Sequence, residues 1–272
     1  MPGFGTLGLG VLSLALLATD ALVLTSHRLH HVLQRADPDE RWPLPFRSQA
    51  VWNGGADGSL VELWGLLQLS VAAVLLMLLA RRAPGRRVLA VWGAVLLVMV
   101  VDDLFRLHER AGALLALERW ASALSAAGGQ ELGGLLFWAV VGAVLGAALV
   151  RTYTTSAAPA RRAALLLLTA TAPFGAVAVG YVLLSAFGGG LVDGLSGFVL
   201  VDVRVTAKLL TMTACLVLAL RWTQAPPGGD PSGEPSAAAR APATTPVPQP
   251  LTSPAAPPRH DAGPRLGGST TR

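Results

Sequence analysis

Six runs, at about residues 5 to 26, 60 to 80, 88 to 107, 132 to 150, 163 to 187 and 199 to 220, are almost free of charge over lengths near 20 residues. A bilayer's hydrocarbon layer is about 30 Å thick, and a helix crosses it in about 20 residues. A chain in that layer must satisfy its own backbone hydrogen bonds, so each run reads as a helix. The predicted fold class is therefore all-α, a six-helix transmembrane bundle. Composition agrees: 53% of the 272 residues are hydrophobic and 14% charged, against about 25% charged in ordinary soluble domains. A water-soluble globular enzyme is excluded. The first run lacks a basic leader and a clear cleavage site, so it reads as a retained helix rather than a signal peptide.

The 21 Lys and Arg and the net charge of +5 are spread as small clusters between the apolar runs. They do not form one basic face, so no nucleic-acid partner is expected. Their use is orientation. Arg81-Arg82-Ala83-Pro84-Gly85-Arg86-Arg87 carries four arginines and residues 151 to 162 carry three, without an acid in either. The positive-inside rule places both loops in the cytoplasm, so both termini are expected inside (N-in, C-in) in a multi-pass protein of the cell membrane. Residues 1–221 form the expected six-span domain. From residue 222 onward lie 12 of the 19 prolines, among Ala, Gly, Ser and Thr, and this segment is expected to be a disordered cytoplasmic tail. Residues 111 to 125 show an amphipathic helical pattern, read either as a helix lying on the outer surface or as a continuation of the third span. The single cysteine, Cys215, falls inside an apolar run and allows no intrachain disulfide.

Placing the acids on this topology gives the candidate site. Of 16 acidic residues, three are in the tail, Asp20 is in the first span, and the other 12 fall at or beyond the outer boundary. Ser59-Leu60-Val61-Glu62 matches a helix capping box, and Glu131 could be placed by the dipole at the start of the fourth span. Asp102 and Asp103 resist that explanation. They lie toward the C-terminal end of their span, where the dipole disfavours anions, and at a depth where an ionisable group needs a partner or a function. Arg106 is three and four residues away and offers local ion pairs. On one unbroken helix His108 points about 120° away from Asp102, so ligands from other helices would be required to close a shell. Asp102, Asp103, His108 and Glu109 are the expected catalytic residues. Glu62, Asp102, His108, Glu109, Glu131 and Asp202 are the expected ligands of a divalent metal, which carboxylate and imidazole donors would suit.

Weaker signals remain. His27, His30 and His31 with Arg28 read as a solvated cluster at the interface, with His27 and His31 an alternative ligand pair. Lys208, the only lysine, is expected to pair with Asp20 at similar depth. Gly142-x-x-x-Gly146 is the spacing used for close helix packing.

The motifs Asp57-Gly58-Ser59-x-x-Glu62, Asp102-Asp103-x-x-x-x-His108-Glu109, Gln130-Glu131-x-Gly133 and Val201-Asp202 resemble those of a family of uncharacterised bacterial polytopic membrane proteins. The resemblance spans roughly residues 50 to 215 and departs at Asp202-Val203-Arg204-Val205, where a run of acids and glycines would stand. It implies no activity. The multi-histidine metal pattern of membrane hydrolases similar to alkaline ceramidases is absent. The sequence thus points to a carboxylate and histidine site at the extracytoplasmic helix ends, holding a metal and acting on a lipid or other amphiphile. The alternatives are a small proton- or cation-coupled transporter and a noncatalytic membrane partner.

Overall fold

The computed structural model describes residues 6–36, 48–115, 126–187 and 194–224, and every regular element among them is helical. These are α1 (Thr6–Ala36), α2 (Gln49–Trp52), α3 (Leu60–Arg81), α4 (Arg87–Phe105), α5 (Leu107–Leu115), α6 (Ala126–Thr155), α7 (Ala158–Phe187) and α8 (Gly194–Gln224). Six of them, α1, α3, α4, α6, α7 and α8, are long and apolar enough to cross a membrane. The chain is an all-α, multi-pass integral membrane protein. Large apolar side chains on the outward faces, such as Val11, Leu14, Leu22, Val140 and Val144, are exposed, as hydrocarbon solvent allows.

Helices α3 and α4 form a tight hairpin at the centre. A 3₁₀ turn over Pro84–Arg86 joins them, with proline at its start, where a missing N–H costs least. The two arginine-rich loops are tied together: Ser156 Oγ accepts from Val88 N–H at 3.2 Å, and Ala157 N–H donates to Gly85 O at 2.9 Å. Leu69, Leu76 and Leu96 are fully buried between α3 and α4, with Ala163, Ala164 and Leu167 of α7 and Met212, Cys215 and Ala219 of α8 closing the core. In lipid, helix association rests on close van der Waals packing. Small residues provide it: a Cβ on Gly93 would lie 2.9 Å from Ala73 O, and one on Gly65 would press on Met212 Sδ at 2.5 Å. Helix α1 lies at the edge, packing Val23 and Leu24 with Val61, Val205 and Leu209.

One expectation is corrected at this level. Gly142 and Gly146 face open space, since a Cβ on either would meet nothing within 4 Å. The last helix ends at Gln224, with Trp222 buried in the core. Residues 225–272 of the expected tail and residues 116–125 of the expected surface helix lie outside the described residues.

Candidate functional site

The site is built around a break in what the apolar pattern presents as one helix. Helix α4 ends at Phe105, and Arg106 adopts the left-handed conformation with φ 51° and ψ 45°. For a residue with a Cβ that conformation costs about 1–2 kcal/mol. Helix α5 then restarts at Leu107, with Arg110 N–H donating to Arg106 O at 3.0 Å. The break swings His108 back over the end of α4. Asp102 Oδ1 accepts the His108 backbone N–H at 2.8 Å, as a cap would, while Oδ2 faces the His108 Nδ1 at 2.8 Å. Trp138 of α6 donates its indole N–H to the same Oδ2 at 3.0 Å. Asp102 is 1% exposed, and among the described residues these three donors stand in for its solvation, as a buried carboxylate requires.

Asp102 accepts, so His108 Nδ1 carries the proton, and a neutral ring keeps its lone pair on Nε2. The hydrogen bond to Asp102 raises the His108 pKa above its ordinary value, against the burial of the ring, and the charges of Asp102, Glu109 and Asp103 add to the rise.

Around this pair the other polar groups are largely cross-linked. Lys208 of α8 reaches Asp103 at 2.6 Å and Glu62 at 3.4 Å. Glu62 also accepts from Gly58 N–H at 2.6 Å, while Ser59 Oγ accepts from Glu62 N–H at 3.2 Å. The capping motif is realised with its glutamate reaching one residue further back than the usual box. Gly58 turns there with φ +74°, which a side chain would resist. Arg106 pairs with Asp57 at 3.1 Å.

Two cavities meet at this cluster. One of about 340 Å³ is mostly apolar, walled by Met99 of α4, Leu135 and Trp138 of α6, and Phe174, Val179 and Val182 of α7. The other, about 240 Å³, is polar and includes Asp57, Glu62, Arg106, Glu109, Tyr181 and Lys208. Asp103, His108, Glu131 and Arg204 line both. Helix α5 is seated by glycine contact: a Cβ on Gly133 would lie 2.6 Å from Gly112 Cα, and one on Gly112 would strike Gln130 O. Gly134 lies under His108, whose carbonyl oxygen would be 3.2 Å from an added Cβ. The Gln130-Glu131-x-Gly133 motif thus supplies one cavity residue and one seat.

Asp102, Asp103, His108, Glu109, Glu62 and Glu131 are therefore brought to one end of the bundle and line the two cavities. Asp202 is not among them. It forms a two-point pair with Arg28, at 2.8 and 3.0 Å, and ties α8 to α1. Among the described residues no three of His, Cys, Asp and Glu are placed to hold a metal ion. The expected shell of Glu62, Asp102, His108, Glu109, Glu131 and Asp202 does not assemble. Asp102 is enclosed by N–H donors, Glu62 serves as cap and Lys208 partner, and Asp202 faces α1.

Three further expectations change. Asp20 does not pair with Lys208. Its Oδ1 accepts from Trp64 Nε1 at 2.8 Å and from Gln68 Nε2 at 2.9 Å, and the Thr213 hydroxyl contacts its Oδ2. Arg106 pairs with Asp57 rather than Asp102 or Asp103, because the left-handed turn carries it off their face. Two of the three α1 histidines are not solvated: His27 and His30 are 0% exposed, while His31 is half-buried. Gly54 N–H donates to His27 Nδ1 at 2.9 Å, and His31 contacts Asn53 at 3.3 Å, so these rings fasten the segment before α3 onto α1. Sequence reading missed Trp138 and Arg204. The spacing of Trp138 seven residues beyond Glu131, two turns along the same face, is the signal that would have found the first.

Fold and site together define an integral membrane protein with a histidine and aspartate pair at the wall of an apolar cavity. A family model described as a domain of unknown function, DUF8692, matches residues 14–201, and the chain belongs to that family. No curated protein and no solved structure matches the chain. The matched segment includes Asp102, His108, Glu131 and Trp138, while Arg204 and Lys208 of α8 lie beyond it.

Proposed function

We propose that this protein holds a membrane amphiphile with its chain in the apolar cavity and transfers a proton at its head group through His108. The observation that carries this reading is the Asp102–His108 contact of 2.8 Å on the wall shared by the apolar and polar cavities. A carboxylate on Nδ1 fixes the imidazole's tautomer and orientation and stabilises the imidazolium that forms when Nε2 takes a proton. Trp138 and the His108 backbone hold Asp102 in turn, so the base is positioned before any ligand arrives. The cavity's size and apolar walls suit a hydrocarbon chain, and its polar mouth suits a head group.

Arginine placement supports a cell-membrane orientation with the loops at residues 81 to 87 and 151 to 162 in the cytoplasm. The site would then open at the extracytoplasmic side, within reach of the outer leaflet.

The test is to incubate the purified full chain in nanodiscs of a bacterial lipid extract and follow the lipids by mass spectrometry. Wild type should hydrolyse a head-group ester of one lipid class, with His108 Nε2 taking the proton of the attacking water and returning it to the leaving oxygen as the ester bond breaks. His108→Gln should lower that rate by about 100-fold or more, the scale of general acid–base catalysis, while still unfolding cooperatively, at a lower temperature because Asp102 loses its ring partner. Unchanged lipids with wild type, or an equal rate with His108→Gln, would sink the reading. Proton or cation flux in liposomes would instead favour a transporter.

A further inference from the structure

Where the two cavities join, two charges have no ion-pair partner among the described residues. Of the four residues on both walls, Asp103 is held by Lys208 and His108 by Asp102. Arg204 lies over the Tyr181 ring, 4.8 Å from its centroid, and meets no carboxylate among the described residues. Stacking occupies a face of the guanidinium and leaves its in-plane N–H fork for an anion, with geometry that matches phosphate or carboxylate. Glu131 of α6 is half-buried and likewise pairs with no cation among the described residues, and no ion pair joins it to Arg204. The helix dipole does not explain its place. Helix α6 starts at Ala126, so Glu131 lies beyond the first turn, where the dipole acts.

Each of these half-buried charges carries a desolvation cost that an opposite charge on a ligand would offset. A neutral head group would leave both unmet, and a singly charged one would leave one. A head group with an anion and a cation close together would meet both. We propose that the amphiphile is zwitterionic: its anionic group, of the phosphate kind, rests on Arg204, its ammonium on Glu131, and its chain runs between Met99, Leu135 and Phe174. This rests on the amphiphile reading of the cavity and adds the chemistry of the head group.

The experiment is equilibrium binding of four twelve-carbon probes to the full chain in nanodiscs: dodecylphosphoethanolamine, dodecyl phosphate, dodecylammonium and dodecyl maltoside. Charge-assisted hydrogen bonds of this kind are worth about tenfold or more in affinity. Wild type should bind the phosphoethanolamine at least about tenfold more tightly than the other three. Arg204→Gln should bring it down to the level of dodecylammonium, and Glu131→Gln to that of dodecyl phosphate. Arg204→Lys, which keeps the charge, should restore most of the preference and shows that the pocket is intact. Free phosphoethanolamine should bind far more weakly than the chain-bearing probe. Equal saturable binding of all four probes overturns the zwitterion while keeping the amphiphile site. No saturable binding of any probe overturns the amphiphile reading itself.

Discussion

At Asp102 three N–H donors converge on one buried carboxylate, and the protonation of His108 is tied to it. The His108 pKa is raised in the fold from its ordinary 6.5. Below about pH 6.5 the folded and unfolded states both hold the proton, so the pair's contribution to stability is complete. As pH climbs through the raised value, that contribution is lost. The melting temperature of wild type should therefore fall as pH rises from about 6.5, and that of Asp102→Asn should fall less over the same interval. Proton abstraction by Nε2 needs the neutral ring, so activity should rise where stability falls. A melting temperature of Asp102→Asn that follows pH as wild type does would count against the pair. Asp20 makes the same point with neutral partners. Exchanging the charges, Asp20→Lys with Lys208→Asp, should not rescue expression, because the two side chains do not meet. Asp20→Ala should cost about 1–3 kcal/mol for each donor it strands, read by thermal unfolding. Depth alone marked Asp20 and Asp102 in the sequence as groups needing partners. The partners were not legible, since a carboxyl satisfied by Trp, Gln and Thr leaves no complementary charge to search for.

Among the elements, the seat of α5 decides where His108 sits. Gly112→Ala and Gly133→Ala each place a Cβ against backbone of the facing helix. Overpacking of this kind costs about 1–3 kcal/mol, and because α5 must shift, both variants should lose activity along with melting temperature. The left-handed turn gives a second test. Arg106→Ala and Arg106→Gly both remove the half-exposed pair with Asp57, but glycine relieves the strain at φ 51° that alanine retains. Arg106→Gly should be the more stable of the two by about 1 kcal/mol in denaturant titration. The six spans and the capping of α3 were readable, since length, hydropathy and the Ser59 and Glu62 spacing act locally. The break was not. No Gly or Pro marks Arg106, and the turn is set by tertiary contacts from Asp57, Trp138 and the Gly112–Gly133 seat, which local pattern cannot carry.

For the molecule as a whole, the cationic loops and the acidic cluster sit at opposite ends of one bundle, which makes orientation testable with little background. The single cysteine, Cys215, is buried in the core. Cysteine placed at Gly55 should react with a membrane-impermeant maleimide on intact cells, and cysteine at Arg82 only after permeabilisation. The reverse pattern would put the site on the cytoplasmic face. The gathering of Glu62, Asp103, Glu109 and Glu131 at one level was legible because topology alone brings helix ends together. The apolar cavity beside them was not, because Leu135, Phe174 and Val182 look in sequence like any lipid-facing residues. That cavity is the centre of the account, and the most direct measurement is photocrosslinking with a twelve-carbon amphiphile bearing a terminal diazirine, mapped by mass spectrometry. Labels are predicted on the cavity walls at Leu135, Trp138, Phe174 and Val179, and should be lost when Ala178→Trp fills the space. Labels confined to outward residues such as Val140 and Val144, and unchanged by Ala178→Trp, would contradict it.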